Sequence, residues 1–397
     1  MKITSVDIME LKPVKGGMPF PTPVIIRVNT DAGISGLGEV GISVGFGVRA
    51  NFGIMEDLCP RLLGRDPFDN EVVWEEIRTT CFGHISGAGV VVYNSLSAMD
   101  MALMDIKGKA LGVPVYVLLG GKARTRIPAY VSHAEHGWIG SYTEKGSPGD
   151  YAEITKVIAD DGFKAAKYDL FFQDENIKPI PREDVAGPVS AGMLRMFEKR
   201  LAAIRKAGGD DFGIMLDMFC KPNLATAAAL DGIMRDYGVL FAEEMLPPYN
   251  TDVAIELARR IKTPIALGEK VRTRWEYRPY IENNAVAVIE PDLTNCGGIS
   301  EGKKICDMAH MYDIKAQMHT CGSPVSQAAA LQVEAAIPNL FMHEELFFDP
   351  EPELKGLCRR SCVAEHGFIE VCDEPGIGQE LTEETINSAV RIVTIRE

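Results

Sequence analysis

No stretch of this 397-residue chain stays apolar long enough to span a bilayer, and no run of Lys and Arg stands in it. Its nine cysteines form no CxxC pair and have no histidine at zinc-finger spacing. Each shortage removes a class of function. A spanning helix needs about 20 apolar residues in a row, so no membrane partner is expected. The N-terminal MKITSVDIMELKPVKGG alternates polar and apolar like a strand and lacks the continuous apolar segment of a signal peptide, which makes a cytoplasmic location the expectation. With 41 basic against 56 acidic residues the formal charge is −15, and nucleic acid, whose binding runs on surplus cations, is not an expected partner. The scattered thiols, Cys59, Cys81, Cys220, Cys296, Cys306, Cys321, Cys358, Cys362 and Cys372, read as reduced residues that pack. Cys321 alone follows a residue proposed below to do chemistry.

What is present is a large apolar fraction, 46%, enough for two domains or for one barrel with an attachment. The first segment reads as α+β. Val24 to Asn29 is a β-rich run, TDAGISGLGE is a turn-rich return, and Pro60 to Ile77 has a helical pattern. Ser95 is placed to cap a helix whose apolar residues fall at Leu96, Met99, Leu103, Ile106 and Ala110. GVPVYVLLGGKARTR then breaks the pattern, and a domain boundary is expected near residue 125. The chain is accordingly divided into an α+β domain over 1–125, a barrel over 126–360 and a segment over 361–397 that packs back on the first domain.

Beyond the boundary, short β-branched runs alternate with helical stretches: IPAYVS, FKAAKYD, GIMLD, VLFAE, PIALGE, AVAVIEPD, IKAQMH and LFMHE. Alternation of this kind implies parallel pairing, and eight such units imply an α/β fold closed as a (β/α)8 TIM-type barrel. LFFQDENIKPIPREDVAGPVS, after the second run, is too long for an ordinary connection and reads as an active-site flap or an idle insertion.

The runs share a chemical ending. Asp217, Glu243 and Glu269 close the third, fourth and fifth at equal intervals of 26 residues. In a barrel these ends point into one mouth, where three carboxylates cannot sit together without a cation. All-oxygen ligation suits Mg²⁺. Asp292, His319 and Glu344 close the sixth, seventh and eighth runs. On neighbouring strands Asp292 can accept a hydrogen bond from His319, fixing its tautomer and raising its basicity. Lys167 would reach inward from the second run, or else lie along the surface. His133 and His136, in SHAEHGW, either touch substrate or cap a loop, and Glu244 is expected to turn away from Glu243 by alternation.

These residues resemble the enolase superfamily, mandelate racemase subgroup, and within it acid-sugar dehydratases of the galactonate dehydratase kind. The similarity runs through GISGLGE, SAMDMALMDIKGKALGVPVYVLLGG, the LD, AEE and GEK ligand stretches, EPDLTNCGGISEG, QMHTCGSP and GFIEVCDEPGIG. The resemblance implies that residues 1–125 are a capping domain completed by the C-terminal segment. It implies one Mg²⁺ per subunit on Asp217, Glu243 and Glu269, a base at His319 oriented by Asp292, and charge stabilisation aided by Lys167 and Glu344. Lys270, Asp169, Tyr168, His133, His136 and Arg272 are the expected substrate contacts, with Lys167, Lys270 and Arg272 reversing the anionic field locally. A homo-oligomer, dimer to octamer, is implied as well. Three positions depart from the pattern. Asp169 stands where many relatives carry the second lysine of Lys-x-Lys, Phe219 stands where dehydratase relatives place a leaving-group histidine, and Met245 replaces a proline. The expected activity is a lyase that takes the α-proton of a sugar acid and expels water, its leaving group protonated by His319, Tyr168 or Lys270. A cycloisomerase or epimerase working through the same enediolate is the nearest alternative, and a silent sugar-acid binder is a further one.

Overall fold

The polar–apolar alternation at the N-terminus becomes an antiparallel sheet in the computed structural model, which describes residues 1–12, 22–41, 47–79, 89–138, 146–347, 350 and 352–396. Strand β1 (Ile3–Glu10) pairs with β2 (Val24–Thr30), and β2 with β3 (Ser35–Glu39). The sheet lies on the helix Gly89–Leu111. Two glycines make that approach possible: a Cβ at Gly36 would fall 2.1 Å from the Ala102 carbonyl oxygen, and one at Gly38 1.9 Å from that of Ala98.

Two expectations for this part are corrected. Ser95 does not cap the helix, which is already under way at Gly89; its hydroxyl donates to the Val91 carbonyl at 2.9 Å, the usual way an interior serine satisfies itself. The Pro60–Ile77 pattern resolves into short turns at Cys59–Leu62 and Pro67–Asp69 and a helix only over Asn70–Ile77, because Gly64 adopts a left-handed φ of 73° and Pro67 cannot continue a preceding helix. Cys81 lies outside the described residues, and Cys59, Cys220, Cys296, Cys306, Cys358, Cys362 and Cys372 are free thiols.

The eight expected runs form eight parallel strands: β4 (Arg126–Ser132), β5 (Ala165–Tyr168), β6 (Gly213–Asp217), β7 (Val239–Glu243), β8 (Ile265–Leu267), β9 (Val288–Ile289), β10 (Lys315–Ala316) and β11 (His343–Leu346). Each pairs with the next from β4 to β10, and β11 pairs with β4. A parallel bridge between Ala316 and Leu340, with the Phe341 amide donating to the Ala316 carbonyl at 2.8 Å, joins β10 to the approach of β11 and closes the ring. Tyr130, Ala165, Met215, Phe241, Ala266 and Val288 fill its centre. The last strand is shifted from the expected LFMHE. Leu340 only bridges to Ala316, and the ladder with β4 starts at His343, so Glu344 is the second residue of the strand and not its end.

The C-terminal residues divide their pairing. β12 (Phe368–Glu370) runs antiparallel to β4, and β13 (Arg391–Arg396) runs antiparallel to β1 as the outer strand of the first sheet. No described helix is long and apolar enough to cross a membrane.

Candidate active site

The stretch IALGEK shows how the strand ends are built. A Cβ at Gly268 would lie 2.5 Å from the backbone of Glu290, so only glycine lets the chain leave β8 beside β9 and turn Glu269 into the mouth. Asp217 and Glu243 are the last residues of β6 and β7 and face each other in register. Both are buried.

Lys167 projects inward from β5 with 1% exposure, so the snorkelling alternative does not apply. Its ammonium contacts Glu243 and donates to Glu344 Oε1 at 2.7 Å, above the Tyr130 ring. Glu344 also accepts from Ser132 Oγ at 2.8 Å and from the Thr320 amide at 2.9 Å. Across the mouth, His319 Nδ1 lies 2.8 Å from Asp292 Oδ2 and Nε2 lies 3.2 Å from Glu269 Oε2. Thr294 holds the other Asp292 oxygen through its amide at 2.7 Å and its hydroxyl at 2.6 Å.

The charges are strongly interdependent. Burial disfavours the His319 cation, but Glu269 and the Asp292 hydrogen bond outweigh it and lift the imidazole to about 10. Burial likewise works against ionised Glu344, where Lys167 and His319 prevail and hold the carboxyl below the usual range. Asp217 and Glu243 go the other way: burial, then neighbouring carboxylates, raise both despite Lys167.

Among the described residues no three acidic, histidine or cysteine side chains already close around a point an ion would occupy. Glu243 is turned to Lys167, Glu269 contacts Lys270, and Asp217 lies 3.9 Å from His133 Nε2. The donor chemistry nevertheless fits a hard divalent cation. The three donors are oxygen only, and two sit side by side on adjacent strands, buried where a carboxylate is costly without a compensating cation.

The remaining candidates are spread unevenly. Lys270 touches Glu269 and lies 3.5 Å from Glu244. Glu244 stands just past the end of β7 with a left-handed φ of 46°, outside the reach of strand alternation, and accepts from Cys220 Sγ at 3.1 Å. Arg272 sits 3.8 Å from Glu276 and lines a cleft with Lys270, Tyr249 and Tyr280. His133 adopts a left-handed φ of 55°, with its ring 5.3 Å from that of Phe219. His136 lies between Phe172 and Phe347, with ring centres at 4.6 and 4.8 Å. Asp169 is engaged by Lys221 at 2.9 Å and by the Phe171 amide at 2.7 Å. Tyr168 is a correction: strand alternation sends it to the outer face opposite Lys167, where its hydroxyl meets Thr155 Oγ1 at 2.8 Å on the helix Pro148–Asp160. It does not reach the mouth.

Sequence reasoning missed the residues that hold others in place, namely Ser132 and Thr320 on Glu344, Lys221 on Asp169, and Glu135. Glu135 is fully buried, 3.3 Å from His133 Nδ1 and 3.8 Å from His136 Nε2, and it accepts the Asp169 amide at 3.1 Å. The carboxylate between two histidines in SHAEHGW was its visible signal. Cys321 packs against Leu346, Phe347 and Leu354.

Comparison with known proteins agrees with this architecture. The sequence matches the mandelate racemase / muconate lactonizing enzyme N-terminal domain over residues 8–120 and the enolase C-terminal domain-like model over residues 150–385. It is 31% identical to a D-xylonate dehydratase of Haloferax volcanii, over 93% of this chain and 84% of that one. A D-galactonate dehydratase of Verminephrobacter eiseniae is 30% identical, over 91% of this chain and 90% of that one. The solved structure of an enolase superfamily member from Salmonella Typhimurium superposes with a TM-score of 0.94 at 38% identity, covering 100% of both chains. Two matched domains in this order, on a barrel whose strand ends carry the carboxylates, lysine and histidine described above, place the chain in the enolase superfamily, in its mandelate racemase / muconate lactonizing enzyme group.

Proposed function

We propose that the protein is a Mg²⁺-dependent hydro-lyase that removes the α-proton of an aldonate or aldarate and eliminates water to give a 2-keto-3-deoxy acid. The observation that carries this reading is the His319–Asp292 pair facing Glu269 across the mouth from Lys167. The names of the dehydratase relatives support the substrate class. A divalent ion bound by Asp217, Glu243 and Glu269 supplies positive charge that makes the α-proton of a carboxylate acidic enough to remove.

The chain's own groups do the rest. Asp292 accepts from Nδ1, and Nε2 of His319, protonated chiefly through its contact with Glu269, would be freed to take the α-proton once Glu269 is engaged by a cation. Lys167, kept charged by Glu243 and Glu344, stabilises negative charge on the opposite side. With Tyr168 on the outer face, the departing hydroxyl is protonated by His319 in a syn elimination or by Lys270. Phe219 offers no proton where dehydratase relatives place a histidine, and this favours one rival, an epimerase or cycloisomerase that needs no leaving-group acid. The same reading takes the protein as cytoplasmic and divided at residues 125 and 360, on the sequence pattern, and as a homo-oligomer, on the strength of the family resemblance alone.

The deciding experiment incubates the protein with Mg²⁺ and a panel of aldonates and aldarates in D₂O and follows the mixture by NMR. Loss of water with a 2-keto product is expected. Deuterium at the α-carbon without water loss would reject the lyase in favour of the rival, and no exchange with any acid would leave a silent binder.

A further inference from the structure

Glu39, the last residue of β3, carries a buried carboxylate with no basic partner in any ion pair among the described residues. It is spent entirely on one loop, 284 residues away. Its two oxygens accept the Ser323 amide at 3.0 and 3.1 Å, and Oε2 accepts the Ser323 hydroxyl at 2.7 Å and the Ser326 amide at 3.2 Å. The fit leaves no slack, since a Cβ on Gly322 would come within 2.8 Å of Glu39 Oε1. Burial alone raises this carboxyl, and the four bonds oppose that.

The loop needs no outside acid merely to start its helix. Ser323 is the N-cap of the helix Pro324–Ala336, and its own hydroxyl already accepts the Val325 amide. What Glu39 adds is a hold from the first sheet on the amide of Ser326, which the cap leaves free. The same segment begins at His319, and Thr320 is tied to Glu344 through its amide and hydroxyl. The connection from His319 to Ser326 is therefore fixed by barrel acids at its start and by Glu39 at its end.

We propose that Glu39 is a positioning residue for the proton-abstracting histidine, so that the first sheet, when docked, sets the geometry in which His319 is presented. The proposal rests on the reading of His319 as the base. Glu39→Gln keeps the side-chain volume but puts an NH₂ group where an acceptor is required. The variant is expected to lower both kcat and α-proton exchange by roughly 10- to 100-fold with KM changed far less, the scale seen when an outer hydrogen-bond partner is lost. Amide exchange at Ser323 and Ser326, followed by mass spectrometry, is expected to quicken by roughly tenfold or more. Glu10→Gln, on the same sheet and away from the loop, is the control and should change neither.

An unchanged kcat in Glu39→Gln, an effect confined to KM, or an equal loss in Glu10→Gln would overturn the proposal. Should Glu39→Gln not fold, Gly322→Ala pushes on the same contact from the loop side. It is expected to give the same kcat-selective loss, and normal turnover there counts against Glu39. If the unaltered protein turns over no sugar acid, the reading of the site fails, and amide exchange still decides whether Glu39 holds the loop: unchanged exchange removes it.

Discussion

His319 Nδ1 and Asp292 Oδ2 meet at 2.8 Å between residues that follow adjacent strands, and Thr294 pins the far oxygen of the same carboxylate. The imidazole therefore has one permitted orientation. Replacing Asp292 with Asn keeps the shape but removes the charge that supports the imidazolium. Asp292→Asn is expected to slow α-proton exchange in D₂O by about 10²- to 10⁴-fold, the range for a general base acting out of its proper state. Exchange at the normal rate would free His319 from dependence on Asp292.

Among the described residues, Lys167 is the only cation bonded to both Glu243 and Glu344, and all three are buried. Lys167→Met leaves two buried carboxyls side by side with no cation between them. Without magnesium the variant is expected to lose about 3–5 kcal/mol of unfolding free energy in urea titrations, the usual effect of removing one member of a buried pair. A loss near zero would show that water reaches these carboxylates.

The oxygen donors at Asp217, Glu243 and Glu269 predict a stabilising response to divalent cation. At a free Mg²⁺ concentration about 100 times its Kd, the unfolding free energy is expected to rise by about 2.7 kcal/mol over an EDTA-treated sample. Asp217→Asn should abolish most of that rise. A midpoint that ignores Mg²⁺ in the unaltered protein would dismantle the ligand assignment.

Tyr168 tests the correction to the site. Its hydroxyl bonds Thr155 on the outer face, so Tyr168→Phe is expected to cost about 1 kcal/mol of stability and to leave kcat within about twofold. A large fall in kcat with unchanged stability would bring Tyr168 back as a proton donor.

A pH dependence arises behind β11. Burial raises Glu345 to about 7, from a reference value of 4.5, with His343 only partly opposing the shift. A carboxyl raised by folding keeps its proton between those values, so its contribution is full below the lower one and is lost as pH climbs toward the upper. Burial also opposes charge on His343, yet Glu334 and Glu345 raise it, and the stability it lends is likewise lost as pH rises. Unfolding free energy is expected to fall by a few kcal/mol, at most, between about pH 5 and pH 8. Glu345→Gln should flatten that slope, and an unchanged slope would place the titration elsewhere.

Much of this was legible because strands buried on both faces and ended by acids leave a short, nearly continuous apolar trace. GIMLD and VLFAE are reproduced to the residue in β6 and β7. The trace blurs where pairing is brief: AVAVIEPD and IKAQMH yield only two paired residues each, and their acid and base stand three residues beyond the ladder. Which of Lys167 and Tyr168 faces inward could not be read beside Ala165 and Ala166, since alanine fits either face. The bonds of Glu39 to Ser323 and of Lys221 to Asp169 join residues far apart in the chain, and no local periodicity encodes them.

The pairing of β13 with β1 has a consequence for biosynthesis. Ser5 to Glu10 lie against Arg396 to Arg391, so β1 is synthesised with the whole barrel still to come before one of its two neighbours exists. The barrel can assemble first, while the opening strand waits with one edge bare. Removing β13 would then harm the first sheet most, although it is made before the barrel, and nascent chains stalled before Arg391 should show an unfinished sheet beside a protease-resistant barrel.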